Sequence, residues 1–208
     1  MNEPPSALPS SSHSAPAGAA RPFDLVLAVD DAWGIGKDNG LPWPKLPADL
    51  RHFQQVTSTA PAGVRNAVIM GRRTWESREV RARPLPRRCN VVITRSPLPL
   101  PDGVRLAGSL DEALAQLTGP DIGQVFIIGG AEIYRLALAH PGCRAVYLTR
   151  VRGDYGCDTA VPDLDALCEP DPTWPAASHR EHEVDFRIER LLVKPPHRRD
   201  LATPPPRT

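Results

Sequence analysis

The segment Leu46-Pro47-Ala48-Asp49-Leu50-Arg51-His52-Phe53 sets one carboxylate among apolar neighbours. On a helix, Asp49 and Phe53 fall at i and i+4 on one face, with Leu50 beside them. A carboxylate in such company can accept two parallel N–H bonds from the edge of an amidine-like ring, while Leu50 and Phe53 pack against the ring. The same spacing also describes an ordinary first-turn acid favoured by the helix dipole, and from spacing alone that is the stronger reading.

Two glycine-bearing turns could hold anions. Met70-Gly71-Arg72-Arg73-Thr74-Trp75 follows the apolar run 67–70. Glycine at a strand-to-helix turn lets a phosphate approach the backbone, and the helix start favours its charge. Arg72 and Arg73, with Arg95 just after Thr94, could hold a further phosphate such as the one that distinguishes NADP from NAD. A solvated basic turn is the alternative. Ile127-Ile128-Gly129-Gly130-Ala131-Glu132-Ile133-Tyr134 offers a second anion-ready helix start, or simply tight strand–helix packing. Neither this run nor Gly34-Ile35-Gly36-Lys37 matches Gly-x-Gly-x-x-Gly, so a nucleotide site here is not a Rossmann site.

Strands and helices must alternate to position these turns. Short apolar runs at Phe23–Val29, 67–70, 90–94, 124–128, 145–149 and Val184–Val193 suit buried strands. Helical patterns lie between them at 47–57, 72–77, 109–117 and Ala131–Ala139. Pro47 suits a first turn, and Ser109 followed by Glu112 reads as a capping box. The expected fold is therefore α/β: a single domain with a mostly parallel central β-sheet, an antiparallel C-terminal edge strand and about four flanking helices.

Composition narrows the function classes. The 208 residues suffice for one domain with a substantial core, and the hydrophobic fraction of 41% and charged fraction of 24% are ordinary. A formal net charge of +1 argues against coating nucleic acid or an anionic membrane. The arginine-rich stretch 72–95 lacks interleaved aromatics for base stacking. Cys89, Cys143, Cys157 and Cys168 form no Cys-x-x-Cys pair and no zinc spacing, so no metal is expected and free thiols in a reducing cytoplasm are. No run approaches the roughly 18 apolar residues of a membrane span, and the start lacks the features of a secretory signal. Pro-rich segments 1–21 and 194–208 read as disordered tails around one catalytic unit, 22–193.

Taken in order, the motifs are more specific than any one of them. Gly34-Ile35-Gly36, Leu41-Pro42-Trp43, the Asp49 segment, Val68 to Ser77, Arg83-Pro84-Leu85-Pro86-Arg87-Arg88, Ile128-Gly129-Gly130, Tyr147-Leu148-Thr149 and Asp158-Thr159 follow one another along the chain. This succession resembles dihydrofolate reductase over nearly the whole folded part.

The resemblance implies a monomeric enzyme that reduces 7,8-dihydrofolate with NADPH and supplies tetrahydrofolate for one-carbon metabolism. Asp49 matches the pteridine-binding carboxylate that grips N3 and the 2-amino group and favours protonation at N5, through a water. Burial would raise its pKa and the helix start would lower it. Trp43 and Thr149 match residues that order water and that carboxylate, forming with Asp49 the catalytic set. Val26, Leu50, Phe53, Arg83 and Leu85 resemble folate contacts, and Arg88 matches the arginine for the glutamate α-carboxylate. Arg72, Arg73, Thr74, Thr94 and Arg95 resemble the adenosine-phosphate site. Ala28, Ile35, Gly36, Ile128, Gly129, Gly130, Ala131, Glu132, Ile133 and Tyr134 resemble the nicotinamide and pyrophosphate side, with a cis peptide at Gly129-Gly130. The stretch from Gly34 to Trp43 matches a mobile loop. Three features depart from the pattern: residues 78–82 are longer than in short bacterial members, Arg87 stands where glycine is common, and Trp33 adds bulk beside the loop. Competing functions are the NADPH-dependent pyrimidine reductase of riboflavin synthesis and a catalytically silent NADP-binding module.

Overall fold

The apolar runs become strands of one sheet in the computed structural model, which describes residues 21–80 and 83–195. In chain order the elements are β1 (Phe23–Val29), β2 (Gly34–Gly36), α1 (Pro47–Ser58), β3 (Arg65–Gly71), α2 (Arg72–Glu76), β4 (Arg88–Ile93), β5 (Val104–Ala107), α3 (Leu110–Ala115), β6 (Ile122–Ile127), α4 (Ala131–Ala139), β7 (Cys143–Val151), β8 (Thr159–Ala160), α5 (Leu164–Leu167), β9 (Cys168–Pro170), β10 (Ala177–Glu181) and β11 (Val184–Val193).

The main sheet runs β10-β11-β7-β1-β6-β3-β4-β5, with β9 pairing the far end of β11. From β7 to β5 every pairing is parallel. The parallel strands are covered on both faces, which is why β1, β3 and β4 are nearly continuous in Val, Ile, Leu and Met rather than alternating. The final strand, β11, joins β7 antiparallel as expected, and a hairpin then places β10 outside it at the edge. A separate ribbon pairs β2 with β8.

Sheet and helices enclose three apolar clusters. The largest packs α3, α4 and α5 against β1, β6 and β7 through residues such as Phe23, Leu25, Leu117 and Leu148. A second lies on the opposite face around Met70, Trp75, Phe126 and Tyr147, with Phe53 and Val56 of α1 against it. The third joins Trp43 and Leu46 to Val151, Phe186 and Ile188.

Expected bounds for β1, α4 and β11 agree with the structure residue for residue, and the other expected elements are found with shifted ends. Ser109 caps α3 by accepting from Glu112 N at 3.1 Å, while the Glu112 carboxylate accepts from Gly108 N rather than from the cap residue itself. The tails expected at 1–21 and 194–208 lie almost wholly outside the described residues. Their innermost members belong to the fold: Arg21 donates to the carbonyls of Ile122 and Gly123, and Lys194 donates to those of Asp165 and Ala166. Among the described residues, no helix is long and apolar enough to cross a membrane.

Candidate active site

Parallel strands end on one side of the sheet, and a cavity of about 790 Å³ opens there. Ala28 of β1, Gly71 of β3, Thr94 after β4, Gly108 after β5, Ile128 after β6 and Thr149 of β7 all reach its wall. Sequence-distant segments meet because each strand delivers its C-terminal turn to the same face.

One end of the cavity is built around Asp49. Pro47 opens α1 with no side-chain cap at Leu46, which leaves Asp49 in the third helical position. An acid there commonly folds back on its own cap. Asp49 instead crosses to β7, where the buried hydroxyl of Thr149 donates to Oδ1 at 2.7 Å. Leu50 and Phe53 share the wall, and Val26 and Leu85 complete the apolar lining. Burial is the strongest influence on the carboxyl and raises its pKa; the Thr149 bond lowers it, and the nearby Glu181 charge raises it. The net direction is upward, with burial as its main cause, and Asp49 lines the pocket.

The other end suits a dinucleotide. The starts of α2 and α4 carry no side-chain cap, and Gly71, Gly129 and Gly130 lie on the cavity wall. The free amides of such a helix start attract anions. Gly129 takes φ 125°, and an added Cβ would stand 3.0 Å from Thr74 Oγ1, so the turn demands glycine. The Gly129-Gly130 peptide is cis. Gly71 N donates to Gly129 O at 2.7 Å, joining the two glycine turns. The buried Tyr134 hydroxyl donates to Val26 O at 2.7 Å, tying α4 to β1 beneath both ends. Arg72 is occupied by Glu76 at 2.9 Å, whereas Arg73 and Arg95 have no carboxylate partner among the described residues.

The wall gathers most of the residues expected from the sequence: Val26, Ala28, Ile35, Gly36, Asp49, Leu50, Phe53, Arg72, Arg73, Thr74, Leu85, Thr94, Arg95, Ile128, Gly129, Gly130, Ala131, Glu132, Ile133, Tyr134 and Thr149. Three expected residues stand off it. Trp43 is buried behind the start of α1, edge-on to Tyr155 with centroids 5.7 Å apart. Arg83 donates to the carbonyls of the wall residues Val80 and Ser77 and lies 6.0 Å from the Trp75 ring centroid. Arg88 is buried one layer behind Phe53, 5.9 Å from its ring, and donates to Thr57 Oγ1 at 2.8 Å and Pro86 O at 3.0 Å. No carboxylate partners it among the described residues, and burial together with Arg87 lowers its pKa. Arg87 itself points to Ser58 Oγ at 3.2 Å.

Other wall residues were not expected. Gly108, Ser109 and Leu110 enter because the short strand β5 delivers them, and its half-exposed Val-Arg-Leu-Ala pattern is too brief to read as a strand. Lys37, Asn39, Gly40 and Leu41 enter from the loop after β2, facing Ser77, Glu79 and Val80. Of the long segment 78–82, residues 81 and 82 lie outside the described residues. The loop is tied at its root by Asp30, whose Oδ1 accepts from Ala32 N and Gly34 N, and whose Oδ2 accepts from Tyr155 N and Cys157 Sγ. An added Cβ on Gly34 would come within 2.4 Å of Cys157 Cβ, so only glycine fits that crossing.

Comparison with known proteins agrees with this layout. The family model described as dihydrofolate reductase matches residues 22–190. Dihydrofolate reductase of Gallus gallus is 36% identical over 179 residues, which cover 81% of this chain and 95% of that protein. Bifunctional dihydrofolate reductase-thymidylate synthase of Glycine max is 43% identical over 153 residues, 70% of this chain and 29% of that longer protein. The solved structure of Schistosoma mansoni dihydrofolate reductase superposes with a TM-score of 0.73 at 35% identity, covering 85% of this chain and all of that one. On the family match, these relatives and the shared structure, the chain belongs to the dihydrofolate reductase family.

Proposed function

We propose that this chain reduces 7,8-dihydrofolate to 5,6,7,8-tetrahydrofolate with NADPH, delivering hydride to pteridine C6 and a proton to N5. The observation that carries the proposal is Asp49 fixed by Thr149 at one end of a cavity whose other end holds two helix starts without a side-chain cap and two arginines with no carboxylate partner among the described residues.

The residues present fit NADPH. Amides at the starts of α2 and α4 suit the pyrophosphate, and Arg73 and Arg95 suit the 2′-phosphate. NADPH supplies the hydride when bound. The chain contributes position and proton management. Asp49 accepts hydrogen bonds from N3–H and the 2-amino group, and Thr149 fixes the carboxylate's orientation. Leu50 and Phe53 pack against the ring and exclude water. Burial raises the carboxyl pKa, and Asp49 assists protonation at N5 through a water. Arg88, buried beside Phe53 without an anionic partner, suits the glutamate α-carboxylate at the cavity's margin. Trp43, one layer behind, supports the start of α1. The family resemblance extends the reading to a monomer, and the four free cysteines fit a reducing cytoplasm.

Loss of NADPH absorbance with dihydrofolate as substrate, with tetrahydrofolate formed in equal amount, is the expected result. Failure to oxidise NADPH with dihydrofolate would overturn the proposal. Turnover of a ribosylated aminopyrimidine instead would favour the riboflavin-pathway reductase.

A further inference from the structure

The start of α1 is capped from far away in the sequence. Leu46 has no side-chain oxygen to offer, and Pro47 has no N–H. The first free amide of the helix, Ala48 N, donates to the carboxylate of Glu181, at 3.0 Å to Oε2 and 3.2 Å to Oε1. Glu181 is the last residue of β10, 133 positions later. Its place is fixed by the tightest kind of hairpin. Glu181 pairs with Val184, leaving His182 and Glu183 as the two turn residues, and both take positive φ, 49° and 62°. The hairpin thus carries a carboxylate to the helix start next door to Asp49. Glu181 is not among the residues that line the cavity.

We infer that Glu181 is a positioning residue for the reaction: its carboxylate holds the start of α1 through Ala48 N and so sets one negative charge beside the helical turn that carries Asp49. The inference rests on the role proposed above for Asp49. A like charge nearby disfavours ionisation, which is the direction in which Glu181 acts on Asp49. The other ionisable groups around this seam are few. Arg51, on α1, lies 3.8 Å from Glu181, but its side chain is 70% exposed and its charge is screened. His52, also on α1, is pushed below its ordinary pKa by burial and then by His179 of β10, so it is neutral at pH 7. From β7 the group facing Asp49 is the uncharged hydroxyl of Thr149. Glu181 is therefore the carboxylate that acts on Asp49 from outside the pocket.

The two functions of Glu181 separate by substitution. Glu181→Gln keeps an oxygen that accepts from Ala48 N and removes the charge. Glu181→Ala removes both. Single-turnover hydride transfer, followed across pH 5 to 9 with saturating NADPH and dihydrofolate, reads the difference. In Glu181→Gln the pH at which the rate falls to half should move down by about half to one unit, the size expected of one like charge in a partly wet seam. Its KM for dihydrofolate should stay within about twofold of the parent, because the cap survives. Glu181→Ala should show the same pH shift together with a KM raised several-fold. An unshifted profile in Glu181→Gln overturns the inference. Asp49→Asn is measured beside it: if that variant keeps full turnover at pH 7, the role of Asp49 fails first, whereas loss of turnover there with an unshifted Glu181→Gln profile defeats only the role of Glu181.

Discussion

Thr149 and Asp49, 100 positions apart, meet at 2.7 Å, with the hydroxyl of one donating to Oδ1 of the other. β7 supplies a rigid donor and α1 a carboxylate, and among the described residues Oδ2 carries no hydrogen bond and can face a ligand.

Replacing Thr149 with Val keeps the shape and removes the donor. The carboxylate loses one hydrogen bond to its charged form, so the Asp49 pKa should rise further. It also loses its fixed orientation. KM for dihydrofolate should rise about tenfold, the worth of one hydrogen bond to a charged group. Steady-state kinetics check this, and an unchanged KM would show that Thr149 does not orient Asp49.

Asp49 should cost the fold stability at neutral pH. Its folded pKa is raised above the ordinary carboxylate value, so the stability linked to its proton is fully present below that ordinary value. That stability is lost as pH rises through the raised folded pKa. Asp49→Asn carries no charge, and its amide oxygen can still accept from Thr149. It should therefore melt higher than the parent at pH 7, by about 1 kcal/mol, as happens when a strained functional group is relieved. The gap should close as the pH falls toward the ordinary carboxylate range. Thermal melts at several pH values decide it, and a variant less stable at pH 7 would contradict the assignment.

Arg88 is a buried guanidinium whose bonds go to neutral oxygens of Thr57 and Pro86. Arg88→Leu should raise KM for dihydrofolate ten- to a hundredfold, about the value of a buried charge pair, with kcat changed little. A substrate lacking the glutamate should not distinguish the variant from the parent. Equal losses with both substrates would place Arg88 in structure rather than in recognition.

Arg73→Ala and Arg95→Ala should each weaken NADPH about tenfold or more, the scale of a lost charge-assisted phosphate contact, and leave NADH unaffected. Arg72→Ala should matter less, since Glu76 already engages that guanidinium. KM values for both nucleotides give the comparison. A parallel loss toward NADH would move the 2′-phosphate elsewhere.

Local pattern made much of this protein legible. Continuous apolar runs marked β1 and β3 because parallel strands are buried on both faces, and Ser109 with Glu112 marked the start of α3. What stayed hidden is what pairing creates. Ala-Ser-His-Arg-Glu has no apolar face, and β10 is a strand because β11 supplies its hydrogen bonds. The cap of α1 was invisible for the same reason: Leu46 cannot cap, and Glu181 arrives by tertiary contact. Asp49 by spacing looked like a helix-start acid, and only the family-like succession of motifs pointed it to a ligand. That succession also placed Trp43 and Arg83 at the site; Trp43 packs edge-on to Tyr155, and Arg83 is engaged by the carbonyls of the wall residues Val80 and Ser77 without lining the cavity itself.

The role of Asp49 as a pteridine anchor that assists protonation at N5 is tested most directly by hydride transfer in Asp49→Asn, followed by single-turnover NADPH oxidation with dihydrofolate from pH 5 to 8. Turnover at pH 7 should fall by about a hundredfold or more, the usual worth of a positioned acid, and recover in part at pH 5, where dihydrofolate arrives already protonated. A variant with unchanged turnover at pH 7 would contradict it.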